Sequence, residues 1–91
     1  MAHLKSEDDG LMKRVRRIAG QVAAIERALA EAADCTMTLH LVAATRGAIN
    51  GLMDEIIEAH VREHVARPDL PDDKRAAGAE ELITAIRRYS R

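Results

Sequence analysis

Apolar positions in this chain fall into three runs at helical spacing, separated by two short polar breaks. In the first run, Leu11, Val15, Ile18, Val22, Ile25 and Leu29 alternate in steps of four and three, which is a heptad seam. The spacing predicts a helix from about Asp8 to Glu31. The second run is the longest. No proline interrupts the chain between Asp34 and Arg67, and Leu39, Val42, Ile49, Met53, Ile56 and Ile57 recur at helical spacing. That stretch predicts one long helix, with Asp34 as its N-cap, because a carboxylate there accepts from the open amides of the first turn. Pro68 and Pro71 end it and form a short linker. A third helix is expected from about Lys74 to Tyr89, with Leu82, Ile83, Ile86 and Tyr89 on its apolar face.

No segment reads as a strand, a repeat or a low-complexity tract. The expected fold is all-α: a helical hairpin, turning near residue 33, plus one further helix, in a single domain spanning 1–91. Residues 1–9 read as a polar, flexible tail, in which Ser6 and Asp9 resemble a helix start. If the hairpin folds about residue 33, Gly20 comes opposite Gly47 and lets the two backbones approach closely. Gly47 and Gly51 lie on a different side of the long helix from its chemistry-bearing residues and are assigned to packing.

Composition sharpens this picture. The chain has 91 residues, no Trp, no Phe and a single Tyr, so its core is built from Leu, Ile, Val, Ala and Met. A helical chain of this size is marginal alone, which favours stability gained by association. The lack of aromatic residues also argues against nucleic-acid binding by base stacking. MAHLKSEDDG carries no apolar run, so neither a signal peptide nor a membrane span is expected. One cysteine cannot form an internal disulfide, and a reducing cytoplasmic compartment is the expectation.

The chemistry-bearing residues cluster on the long helix. At about 100° per residue, Cys35 and His60 fall within roughly 20° of one another around the axis, and His64 lies roughly 20° to the other side. One thiol and two imidazoles share a stripe with apolar residues that need burial. About 37 Å of helix separates Cys35 from His60, so they meet only if two copies pair antiparallel. A twofold axis near Arg46–Asn50 sets Cys35 of one copy opposite His60 and His64 of the other, twice per homodimer. His60 and His64 stand one turn apart, the spacing at which two histidines share a metal. His3 can reach the same end of the hairpin, and the Ala2 amine joins the candidate ligands if Met1 is removed. Asp34 and Glu63 are close enough in sequence to add oxygens. His40, roughly 140° round the helix from Cys35, is left out. One thiolate with several nitrogens suits Ni(II), Co(II) or Zn(II), whereas Cu(I) normally calls for a second sulfur.

The formal net charge is −1, yet Lys13, Arg14, Arg16 and Arg17 put four basic residues into five positions. No acidic residue follows within a helical turn, and an oligomer repeats the patch, which suits it to phosphates. The ordinary alternative is a solvated helix face. There is no Ser/His/Asp set, no phosphate-cradling glycine loop, no zinc-protease HExxH helix and no recognisable helix-turn-helix pair. An enzyme is not expected.

Taken together, RVRRIAGQVAAIERAL at 14–29, Cys35, RGAINGLMDEIIEAHVREH at 46–64 and the distal helix resemble the CsoR/RcnR family of small helical repressors over nearly the whole length. The resemblance implies a three-helix protomer, a four-helix-bundle dimer and commonly a dimer-of-dimers tetramer. It implies a transcriptional repressor that releases operator DNA on binding an inducer. The set His3, Cys35, His60 and His64 is similar to that of the nickel/cobalt-responsive RcnR- and DmeR-like members. Copper-responsive members carry a cysteine where His64 stands. Formaldehyde-responsive members usually carry proline where Ala2 stands and use that amine with the equivalent of Cys35. The resemblance carries DNA contact to Arg14, Arg16 and Arg17, with Lys13 added by position. The alternatives of a different class are a metal-storage or delivery protein and a structural helical dimer.

Overall fold

The structure, a computed structural model, describes residues 9–89. These form three helices: α1 (Asp9–Ala30), α2 (Cys35–His64) and α3 (Asp72–Tyr89). No strand occurs among the described residues. The all-α, three-helix expectation therefore holds. The expected tail at 1–9, including His3 and Ser6, lies outside the described residues except for its last position.

Two boundaries differ from expectation. The second helix stops at His64, three residues short of Arg67, and the third starts at Asp72, two residues before Lys74. Pro68 explains the first difference, because its ring disfavours helical geometry in the residue before it. The Ala66 amide reaches back to the Val61 carbonyl at 2.7 Å, a wider closing turn than the helix itself uses. Residues 67–70 then turn, with the Leu70 amide 3.4 Å from the Arg67 carbonyl and Pro68 at the second position, where its fixed φ is pre-set. Asp72 and Asp73 open α3 and Arg87 and Arg88 close it, each sign suiting its end of the helix dipole.

The chain divides into two compact units. One holds α1 and α2 as far as Asp54; the other holds the remainder of α2 with α3. In the first unit the chain reverses through a tight hydrogen-bonded C-cap. The Ala33 amide donates to Ala28 at 2.8 Å and the Ala32 amide to Leu29 at 3.3 Å, with Ala32 at a φ of 51°. This is the Schellman arrangement, with alanine in the left-handed position that glycine usually takes. Asp34 then caps α2 as expected: its Oδ2 accepts from the Thr36 amide at 3.1 Å and the Met37 amide at 3.4 Å.

Little of this unit is sealed from water. Ala28 and Thr45 are buried, the Thr45 hydroxyl donating to the Leu41 carbonyl at 2.8 Å. Leu11, Ile18 and Ile25 are half-buried, whereas Val15, Val22 and Leu29 from the same seam are exposed. On α2, Leu39, Val42, Ile49, Met53 and Ile56 are exposed too. The heptad seam is thus split, one edge turned inward and the other left open.

The close backbone approach expected at Gly20 and Gly47 is not there. Both glycines are exposed, and a Cβ at either would meet nothing within 4 Å. The half-buried face of α1 runs through Leu11, Arg14, Ile18, Gln21 and Ile25, which leaves Gly20 on another side. Gly51 is the glycine this packing uses: a Cβ there would lie 2.9 Å from a guanidinium nitrogen of Arg14.

A left-handed alanine costs roughly 1–2 kcal/mol over glycine. Replacing Ala32→Gly should therefore raise stability by up to about 1 kcal/mol after the added unfolded-state freedom is subtracted. Urea unfolding checks this, and a stability equal to or below that of the unaltered chain would show the cap is not under that strain.

Candidate functional site

Each end of α2 is held by a different device. Cys35 is the first helical residue, exposed and free, in the turn that Asp34 caps. The carboxylate oxygen of Asp34 is thereby committed to backbone amides. Glu63, the other candidate oxygen donor, accepts from Arg67 at 3.3 Å.

At the far end, His60 and His64 are half-buried, with ring centroids 5.1 Å apart and planes inclined by 50°. The one-turn spacing thus brings the two rings side by side, as the sequence implies. His60 is also fixed in orientation. Its Nε2 lies 2.8 Å from the Gly78 carbonyl of α3. A carbonyl only accepts, so Nε2 carries a proton here, and in the neutral ring the lone pair then lies on Nδ1.

Two residues that make this end possible are not singled out by sequence patterning. Gly78 is buried, and a Cβ there would clash with the His64 carbonyl oxygen and lie 2.9 Å from its carbon. Arg75 gathers three backbone carbonyls at the exit of α2: Val65, Arg67 at 3.1 Å and Leu70 at 3.2 Å. All three lie beyond the last helical residue, His64, in the segment that leads from α2 to α3. A glycine inside a helix flanked by alanines is a readable signal of close packing, since it costs about 1 kcal/mol against alanine. Nothing in the spacing around Arg75 announces its role. In the loop, Arg67 donates to Asp69 at 2.9 Å, and that bond holds the Asp69 carboxyl below its ordinary range and the Arg67 guanidinium above its own.

Among the described residues, no group of three or more His, Cys, Asp or Glu side chains converges on one point. Cys35 belongs to the α1–α2 unit and the two histidines to the α2–α3 unit. His3 lies outside the described residues. The donor chemistry nonetheless fits a borderline divalent ion: an unpaired thiol, and an imidazole with Nδ1 available beside a second imidazole.

The basic cluster divides as well. Lys13, Arg16 and Arg17 are exposed, while Arg14 is half-buried with its guanidinium against Gly51. No described helix is long and apolar enough to cross a membrane.

The described residues thus combine an open apolar edge and an exposed basic cluster with a thiol and paired imidazoles at opposite ends of α2. Comparison with known proteins gives the class to which this combination belongs. Residues 7–88 match the sequence model for metal-sensitive transcriptional repressors. The chain is 35% identical over 89 residues to the transcriptional repressor RcnR of Citrobacter koseri, covering 98% of each. It is 45% identical over 89 residues to a Serratia marcescens protein described as an uncharacterized protein in the bioA 5′ region, again covering 98% of each. A solved structure, a glutamate-to-histidine variant of the formaldehyde-responsive regulator FrmR from Salmonella enterica serovar Typhimurium, superposes with a TM-score of 0.85 at 40% identity. That match covers 97% of this chain and 99% of the other. The chain belongs to the CsoR/RcnR family of metal-sensitive transcriptional repressors, which are DNA-binding regulators and not enzymes.

Replacing Arg75→Met keeps the aliphatic stem and removes the three carbonyl contacts. Thermal unfolding should show a loss of about 1.5–3 kcal/mol, the range for a hydrogen bond to a charged group. An unchanged midpoint would mean that water replaces the guanidinium without cost.

Proposed function

We propose that this chain is a cytoplasmic repressor that holds operator DNA in its metal-free form and releases it on binding Ni(II) or Co(II), with Zn(II) as a third candidate. The ligands are Cys35 from one copy and His60 and His64 from another, with His3 completing the set. The observation that carries this reading is a shared symmetry on α2. The midpoint between Gly47 and Ala48 that relates Cys35 to His60 also relates the exposed Leu39 to the exposed Ile56, and the exposed Val42 to the exposed Met53. One antiparallel pairing of α2 with a second copy therefore covers the open apolar positions and joins thiol to imidazole in the same step. Full burial of such a side chain contributes about 1.5–3 kcal/mol, so these four per copy are a substantial incentive to associate. A pair of such dimers is the proposed tetramer.

DNA contact is assigned to the exposed Lys13, Arg16 and Arg17, with Arg14 contributing from its half-buried position. Lacking aromatic wedges, this surface reads DNA shape and phosphate spacing more than base edges. A bound divalent ion supplies a cross-link between copies and thereby selects one arrangement of them. To move a 1:99 population to 99:1, that arrangement must be favoured by roughly 5.5 kcal/mol. Linkage is reciprocal, so operator DNA weakens metal binding by the same factor.

A second reading has formaldehyde as the inducer. It is favoured by the structural likeness to a formaldehyde-responsive regulator and by the exposed free thiol of Cys35. The thiol and the Ala2 amine would condense with one formaldehyde, joining S and N through a methylene and releasing water. Titrating the operator complex with Ni(II), Co(II), Zn(II), Cu(I) and formaldehyde in turn separates the two. A metal-storage role predicts no operator complex at all.

Replacing Cys35→Ala should leave the operator gel shift intact and abolish its release by Ni(II) or Co(II). Loss of the shift in a folded variant would put the thiol in the DNA surface instead. Replacing Arg16→Ala should weaken operator binding and lower the slope of log K against log salt by about 0.9 for each lost phosphate contact. An unchanged slope would place the DNA surface elsewhere.

A further inference from the structure

Gly78 meets both histidines of the site at once. Its carbonyl accepts from the His60 ring at 2.8 Å, and its α-carbon sits where any side chain would strike the His64 backbone. We propose that Gly78 is a positioning residue for the metal centre: its carbonyl locks His60 in the tautomer that presents Nδ1, and its lack of a side chain lets that carbonyl reach the ring.

Three observations support this. Gly78 is the buried residue of α3, set among Ala76, Ala77 and Ala79, each of which is the better helix former. A glycine stands there at a helical cost, and the reason is steric: a Cβ would lie 2.9 Å from the His64 carbonyl carbon and 3.0 Å from its Cβ. Second, a carbonyl has two lone pairs, so Gly78 accepts from the imidazole without forfeiting its bond within α3. Third, Arg75 lies one turn earlier on α3 and clasps the carbonyls at the exit of α2, so two successive turns of α3 fasten the same end. Alanine at position 78 would push α3 away by the depth of a methyl group and break the imidazole bond with it.

The tautomer lock stands on the metal-free structure; its use in sensing rests on the function proposed above.

Long-range nitrogen–proton NMR correlations on the metal-free chain with ¹⁵N-labelled histidine test the lock directly. His60 should appear as one Nε2–H tautomer whose ring proton exchanges slowly, while the exposed His40 exchanges fast. A His60 ring protonated at Nδ1, or one that exchanges as freely as His40, overturns the assignment. In Gly78→Ala the His60 proton should exchange at the His40 rate, and Zn(II) affinity should fall about 10–100-fold, as for lost outer partners of metal-bound histidines. An unchanged exchange rate in the folded variant also overturns it. Should Gly78→Ala fail to fold, His60→Gln places an amide donor near the Nε2 position. It should retain more of the thermal stability than His60→Ala, and equal losses count against the contact. With Zn(II) added to the unaltered chain, the Nδ1 resonance should move and the Nε2 proton should remain. Ligation through Nε2 refutes the lock, whereas a failure of Zn(II) to bind with the metal-free signals intact refutes the sensing role alone.

Discussion

Burial is the constraint on which the rest of this structure depends. Ala28 is the buried apolar side chain of the described residues, while Leu29 is 68% exposed and Leu39 62% exposed. Three helices with so little sealed interior draw their stability from local devices and from whatever covers the open edge. The local devices are evident: a Schellman turn at Ala32, the Asp34 cap and the Arg75 clasp. The open edge runs along α1 and α2, and its register on α2 is the one on which the proposed pairing of copies rests. In that proposal association and ligand binding are two consequences of a single pairing.

The two ends of α2 are prepared differently for that task. Cys35 sits in a first turn with nothing restricting its sulfur beyond the helix itself, and it is exposed. His60 is held by a bond from another helix and stands beside His64. The thiol is exposed, whereas the His60 imidazole is oriented by that bond. At metal sites in general, outer partners of this kind orient the imidazole that binds.

The basic cluster shows the same separation of roles within a few residues. Arg16 and Arg17 project from α1 into solvent, whereas Arg14 lies across Gly51. Arg14 thus belongs both to the packing of the α1–α2 unit and to the surface proposed for DNA. The contact with Gly51 is made by the guanidinium itself, and a glycine leaves room for that planar group where a side chain would crowd it.

Much of this was legible beforehand because it depends on local rules. Proline placement, apolar spacing and the Asp34 carboxylate specify three helices to within a few residues, since each acts through its own backbone neighbours. The stripe holding Cys35, His60 and His64 follows from helical periodicity alone. Packing register does not. Gly20 and Gly47 looked equivalent to Gly51 and Gly78 as letters, yet only the latter two face a neighbouring group, because the rotation of one helix against another is decided by side-chain shape across the interface. Arg75 was silent for the same reason: its three acceptors come from the exit of α2 and the following turn, and only the return of α3 brings the guanidinium to them. Rules local to the chain thus specify the helices, the family resemblance and the candidate ligands, because each acts within a turn or along one helix; packing between helices specifies which glycine is close-packed, which arginine clasps the exit of α2 and which nitrogen of His60 meets α3.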